Sequence, residues 1–442
     1  MSSSWSTSVG IYSGLDDYNS NKKKATVMKL NSFIISLMIM TPYLNVFIPT
    51  ILPITSPGNM FGVLVTFLFS YSIYKNGVLR INFLLFTFLF YIGTFFIISL
   101  VSQEFNSISL TIFTDFLYFG VLPMLIINQG LLYKQVLKYT ILLSIIPIIN
   151  FPEFLQNSRV SETSNVVLMG YSYAFLPSVI ASVIYFIYFR KDRSVLLIMG
   201  YLLNIYLLWT LLTGGTRGGF VSIGFMTILL LISQFKNGKH KTYKWSLWII
   251  FAATALVVSY FNTIVKFLYN FTADRGISIN IINKTFIKSQ SGSILNGREN
   301  LYPAAFEGFA SSPAWGLGIG NFNINYGIYP HNLILQLLYE GGLLLTIPII
   351  WVILVGMIWV LSKKNNNLEL SMLIIFLSSV SIPRLMFSAN FWNTQSFWML
   401  FGIIITQLMD KNYGLNSYRE SIIGNINNEG KIKLNNEEIR GV

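Results

Sequence analysis

GRENLYPAAFEGFASSPAWGLGIGNFNINYGIYPHNLILQLLYEGG, residues 297–342, is the polar island of an apolar chain. Arg298 and Glu299 stand at its start. Pro313 leads a Pro-x-x-Gly-x-Gly-x-Gly turn through Gly316, Gly318 and Gly320. Pro330-His331-Asn332 and Glu340-Gly341-Gly342 follow. Much of the chain on either side reads as runs apolar enough for lipid. Polar and ionisable groups kept beside membrane helices are costly and serve function. The rest of the chain is therefore expected to be a scaffold that holds this segment at one face of a bilayer.

Composition agrees. Of 442 residues, 53% are hydrophobic and 11% charged, with mean hydropathy +0.60; soluble domains carry about 25% charged residues. The class is a polytopic membrane protein. Thirty Lys and Arg against 17 Asp and Glu give a net charge of +13. In a soluble protein that excess would suggest nucleic acid; here the positive-inside rule accounts for it, and no nucleic-acid partner is expected. The absence of cysteine excludes disulfides, thiol chemistry and Cys-ligated zinc. Two histidines, His240 and His331, exclude a histidine-rich metal site. No outward Asp-x-Asp or P-loop motif occurs, so neither a metal nor a cofactor is expected. The first residues are Ser/Asn-rich, end in Lys22-Lys23-Lys24 and lack the apolar core of a signal peptide.

A membrane-crossing helix needs about 20 apolar residues. Twelve spans are expected, at 30–52, 60–77, 81–101, 111–128, 135–150, 167–189, 194–212, 217–235, 245–263, 341–362, 369–388 and 391–409. The expected fold is all-α. Residues 1–29 and 410–442 are cytoplasmic tails, 30–409 the transmembrane domain, and 264–340 a large outer loop folded as a small helical cap. With the N-terminus inside, every inner segment is basic and most of the Lys and Arg fall there. The loop's aromatic residues and the helical spacing of apolar groups over 298–310 argue for a folded cap.

Arg217 lies in Thr213-Gly-Gly-Thr-Arg-Gly-Gly219, an outer turn whose glycines expose backbone N–H groups as an anion nest. The alternative is a tight turn whose arginine snorkels to lipid phosphates. Arg298 is expected to open the cap helix after Ser293 and Asn296, with a plain ion pair as its other reading. Arg384 follows Pro383 near the outer end of a span, where an arginine faces protein or water. Arg159 and Arg275 read as loop residues. His331 is expected to begin a helix, as a capping histidine or as a base. Asn332, Gln336 and Glu340 then fall on one helix face. Asp115, near the outer end of the fourth span, is a candidate partner for one of the arginines.

Together, Gly214-Gly-Thr-Arg217-Gly-Gly, Arg298, the 313–320 turn, Pro330-His331-Asn332 and Glu340-Gly-Gly342 resemble the O-antigen polymerase and O-antigen ligase superfamily of bacterial envelope enzymes, over roughly 213–342. The resemblance implies a glycosyltransferase of the bacterial cytoplasmic membrane that uses an undecaprenyl-diphosphate-linked glycan donor without metal. It implies that Arg217 and Arg298, with Arg384 as a third candidate, bind the diphosphate. His331 or Glu340 would activate the acceptor hydroxyl, and Asn332 and Gln336 would contact sugar. A polymerase joins lipid-linked repeat units into O-antigen, capsule or exopolysaccharide; a ligase moves the chain to lipid A core. Expected partners are the lipid-linked donor and acceptor, membrane lipid and a chain-length regulator protein. A transporter of lipid-linked glycans and a non-catalytic assembly subunit are the readings from other classes. A transporter predicts repeat symmetry and polar groups at the midplane, and the sequence has neither.

Overall fold

The structure is a computed structural model that describes residues 7–51, 57–146, 164–189, 194–214, 217–235, 261–275, 286–287, 298, 300–361 and 367–410. Among these residues it is all-helical. Among the described residues, five helices are long and apolar enough to cross a membrane: Lys22–Asn45, Phe83–Ser102, Ser107–Asn128, Leu333–Trp359 and Leu368–Phe387. Shorter apolar helices run over Tyr173–Tyr188, Val195–Leu208, Gly218–Ser233 and Gln395–Leu408. The expected span at 245–263 lies outside the described residues apart from 261–263.

The packing shows which helices meet lipid. The Leu368–Phe387 helix is buried along almost its whole length, Leu370 to Leu385. It packs against the helices Ser164–Tyr188, Arg217–Phe235 and Gln395–Asp410. By contrast, Phe83–Ser102 buries Leu85, Phe88, Ile92 and Phe96 and exposes Phe83, Phe86, Phe90 and Ile97. A helix apolar all round with one exposed face is a lipid-facing span.

Connections fall at two ends. At one end Arg80 exchanges backbone hydrogen bonds with the Gln129 side chain, and Asn31 donates to the Gly130 carbonyl. These belong to segments expected inside. At the other end Gln103 and Ser99 hold Ile319 of the glycine turn: Gln103 Nε2 donates to its carbonyl at 3.1 Å, and its N–H donates to Ser99 Oγ at 2.8 Å. The cap sits there. Its helix Leu301–Ser311 packs through Ala305 on Phe322 and Tyr339. The helix starts three residues later than expected: Asn300 is its N-cap, and the Arg298 carbonyl accepts from the N–H groups of Leu301 and Tyr302. Ser293 and Asn296, the expected caps, lie outside the described residues.

Between Ser107–Phe116 and Leu122–Asn128 a π-helical turn, Leu117–Val121, widens the helix and turns Tyr118 toward the Pro57–Asn76 helix, where it meets Gly62. Such bulges occur often at functional sites.

Candidate active site

The site is built on a broken helix. Gly342 has φ 60° and ψ −159°, a conformation essentially reserved for glycine. It splits Leu333–Leu361 into a short arm and a membrane span. In a straight helix Leu343 and Leu344 would donate to the carbonyls of Tyr339 and Glu340. Here they donate to Pro313 and Ala314 at 2.8 and 3.1 Å. The two freed carbonyls accept from Leu317 and Gly318 at 2.7 and 3.0 Å. Four backbone groups lost to the kink are thus all regained from the glycine turn. In lipid each unpaired group costs several kcal/mol.

This exchange explains the glycine spacing. Gly316, Gly318 and Gly320 all have positive φ. A Cβ on Gly316 would lie 2.5 Å from Gly341 N, and one on Gly342 would lie 2.4 Å from the Ala314 carbonyl. Two backbones touch with no room for side chains, so the turn and Glu340-Gly-Gly342 are one structural unit. Further along the same span Pro348 cannot donate to the Leu344 carbonyl. The Tyr91 hydroxyl does so instead.

Glu340 has no exposed surface. Its Oε2 accepts from the Trp392 indole at 2.6 Å and its Oε1 from the Gln336 amide at 3.3 Å. Gln336 is as buried. Its amide donates to Asn390 Oδ1 at 3.0 Å and its oxygen accepts from Phe391 N at 3.1 Å. The expected polar face of the arm therefore exists, and it points into the protein, where it ties the arm to residues 390–392. Asn332 caps the arm, its Oδ1 accepting from Ile334 N and Leu335 N.

His331 lies outside that helix, which begins at Leu333. The expectation that it begins a helix is corrected: Asn332 takes the capping position, and His331 stands before it with φ 58°. Histidine is among the few side chains enriched at positive φ. Burial lowers the imidazole pKa below 6.5, the Arg298 charge lowers it further, and the Ser388 carbonyl acts the other way. Nδ1 is buried with no hydrogen-bond partner, which leaves Nε2 to face Ser388. The Tyr329 ring packs 4.2 Å from the imidazole, and its hydroxyl donates to the same Ser388 carbonyl at 2.9 Å.

Tyr329 gathers the arginines. Burial raises its phenol pKa, while the charges of Arg384 and Arg298 oppose that rise. Arg384 sits in the last turn of Leu368–Phe387 with its guanidinium 5.5 Å from the Tyr173 ring centre. The Tyr173 hydroxyl in turn abuts Gly218, leaving no space for a Cβ there. Arg217 is the residue before it and the first of the Arg217–Phe235 helix; its side chain is outside what the structure describes. The structure thus brings Arg298, Arg384, His331 and the start of the Arg217 helix around two tyrosines. The Asp115 carboxylate meets the Asn393 amide on the wall of a cavity it shares with Arg384.

Tyr173, Tyr329 and the Ser388 carbonyl are absent from the sequence reading. Tyr329 carried one signal, its place beside Pro330-His331. Tyr173 carried none, being one aromatic residue in an apolar span.

With this geometry in place, comparison with known families is informative. Residues 202–350 match the O-antigen ligase family. The match covers about a third of the chain and contains the kink, the glycine turn, His331, Arg217 and Arg298. O-antigen ligase family members are glycosyltransferase-like enzymes, and the apolar helices agree with a multi-pass membrane protein. No curated protein and no solved structure matches the chain. Arg384, Tyr173 and Asp115 lie outside the O-antigen ligase segment.

Proposed function

We propose that the protein is a membrane glycosyltransferase that polymerises undecaprenyl-diphosphate-linked repeat units on the outer face of the bacterial cytoplasmic membrane. The observation that carries this reading is the pairing of a cationic cage with a neutral imidazole. Arg298 and Arg384 bear on Tyr329, and Tyr329 packs on His331. Guanidinium groups can hold a diphosphate bidentately without metal. In the reaction, the acceptor hydroxyl oxygen forms a bond to the donor's anomeric carbon and the carbon–oxygen bond to diphosphate breaks. The hydroxyl proton goes to His331 and the released diphosphate stays on Arg298 and Arg384, with Arg217 as the third cation. Burial and Arg298 keep the imidazole unprotonated for that role near neutral pH.

Glu340 fits the base role less well, because its oxygens are taken by Trp392 and Gln336. Of the two residues expected on sugar, Asn332 has its oxygen committed to the helix cap and keeps its amide for that role, whereas Gln336 is buried with its amide on Glu340 and Asn390 and its oxygen on Phe391. The family description favours a second reading, ligation to lipid A core. Purified protein in nanodiscs, given lipid-linked repeat unit alone, separates the two. A ladder of longer lipid-linked glycans supports polymerisation; product formed only after lipid A core is added supports ligation; no transfer with either acceptor removes the enzyme reading. The twelve spans, inner termini and outer cap rest on the charge pattern. Single cysteines at Ser291 and Asn365 test them, and impermeant labelling in intact cells at Asn365→Cys but not Ser291→Cys would invert the topology.

A further inference from the structure

A cavity of about 1030 Å³ opens beside the cage, at the top of the usual range for ligand sites. It lies among the helices Thr7–Ile51, Pro57–Asn76, Ser107–Phe116 and Leu368–Phe387. None of its lining residues falls within 202–350, the segment that matches the family. Arg384 and Tyr173 belong both to its wall and to the cage. The rest of the wall is mixed, with Asn45, Asn59, Asp115 and Asn393 set among apolar residues such as Ile39 and Phe119. Val63 and Phe67, also on the wall, are exposed on the outside of the bundle, where a lipid tail would lie.

We propose that this cavity is the subsite that recognises the sugars of the lipid-linked glycan, with Asp115 and Asn393 as its specificity-determining pair. It rests on the glycosyl-transfer reading above and deepens it. A carboxylate offers about four lone-pair positions. The Asn393 amide uses one, which leaves the others for sugar hydroxyls. Asn45 and Asn59 on the same wall add further polar groups. Tyr118, placed by the π-helical turn, and Tyr173 supply aromatic faces for the ring. An apolar tail against Asp115 and Asn393 would leave those groups unpaired, so the tail belongs at the Val63 and Phe67 side and the sugars at the Asp115 side. Arg384 at the shared wall then holds the diphosphate that joins them. The family segment supplies the transfer chemistry, and the unmatched part of the chain selects the glycan.

The test uses the full chain in nanodiscs with two probes, undecaprenyl diphosphate and the lipid-linked oligosaccharide extracted from the cells that make the protein. Affinity for each is read by native mass spectrometry. Wild type is expected to hold the glycan-bearing lipid at least about tenfold more tightly, and Asp115→Asn and Asn393→Ala to lose that preference while binding the bare diphosphate as before. Thr66→Trp, which fills the cavity from the Pro57–Asn76 helix, is expected to do the same. Equal wild-type affinity for both probes, a preference that survives all three variants, or equal loss for both probes would overturn the subsite and leave the transferase reading standing. Wild type that binds neither probe would bring down that reading and this inference with it.

Discussion

Glu340 and Asp115 are both carboxylates among apolar helices, and the protein treats them in opposite ways. Glu340 has no exposed surface, and its oxygens take the Trp392 indole and the Gln336 amide. Asp115 stands on a cavity wall with Asn393 as its partner. The same contrast separates the two regions. At the kink junction, 313–344, backbone meets backbone and the polar groups displaced by the break are paired again. Around Arg384, Tyr173 and Asp115 there is open volume. Polar groups near lipid are therefore of two kinds. Those consumed by one another build the frame, and those with capacity left are where a substrate can bind.

That division can be broken by experiment, most strongly at His331. His331→Gln keeps a donor but cannot take a proton, and is expected to cut turnover by roughly 10²–10⁴ with lipid-linked donor still bound. His331→Asn suits the positive φ better and is expected to lose as much, which separates chemistry from backbone strain. Near-normal polymer in cells with either variant, at matched protein level, would move the base to Glu340. Next in size are Arg298→Lys, Arg384→Lys and Arg217→Lys. Each loses the bidentate fork while keeping the charge, with an expected fall of roughly 10²–10³ in rate that EDTA does not alter. Full activity of all three lysine variants would remove the diphosphate cage.

The closed region should answer in stability instead. Gly342→Ala forces an alanine into glycine-only backbone, a cost of about 1–3 kcal/mol before its contact with the Ala314 carbonyl is counted. A melting temperature equal to wild type would mean the junction can open. Glu340→Gln is expected to cost about 1–3 kcal/mol of stability and little turnover per folded molecule. A turnover loss as large as that of His331→Gln, at unchanged stability, would make Glu340 the base. The smallest effect is with pH. A lowered His331 pKa puts the acid limb of kcat/KM on the acid side of 6.5, the value of an ordinary imidazole. The unfolded chain takes up that proton first as pH falls, so any stability linked to His331 is also lost on the acid side. An activity that already halves at pH 7 would contradict the buried, Arg298-facing position.

The helices were legible because apolar runs of spanning length are a local signal. The motif residues were legible as motifs: Gly316, Gly318, Gly320, Glu340 and Gly342 stand out in any reading. What could not be read was that they meet. The kink exchanges hydrogen bonds between residues 22 and 30 positions apart, and nothing in a period of 3.6 reports this. The face shared by Gln336 and Glu340 was visible, yet its direction was not, because the partners, Asn390 to Trp392, follow a different helix. The meeting of Asp115 with Asn393 was hidden for the same reason. His331 looked like a helix start because Pro330 precedes it; one residue decided otherwise, Asn332 being the better cap.

The broken helix also acts as a ruler. Leu333 to Gly341 spans about 13 Å at about 1.5 Å per residue. Its lower mark is pinned to the membrane span by the bonds at Gly342, and its upper mark carries His331. The distance of the imidazole from the kink is thus counted in residues of the arm rather than set by the length of any loop. One residue inserted in the arm would lift His331 by about 1.5 Å and swing it by about 100°. Residues inserted elsewhere in the cap would leave it where it is.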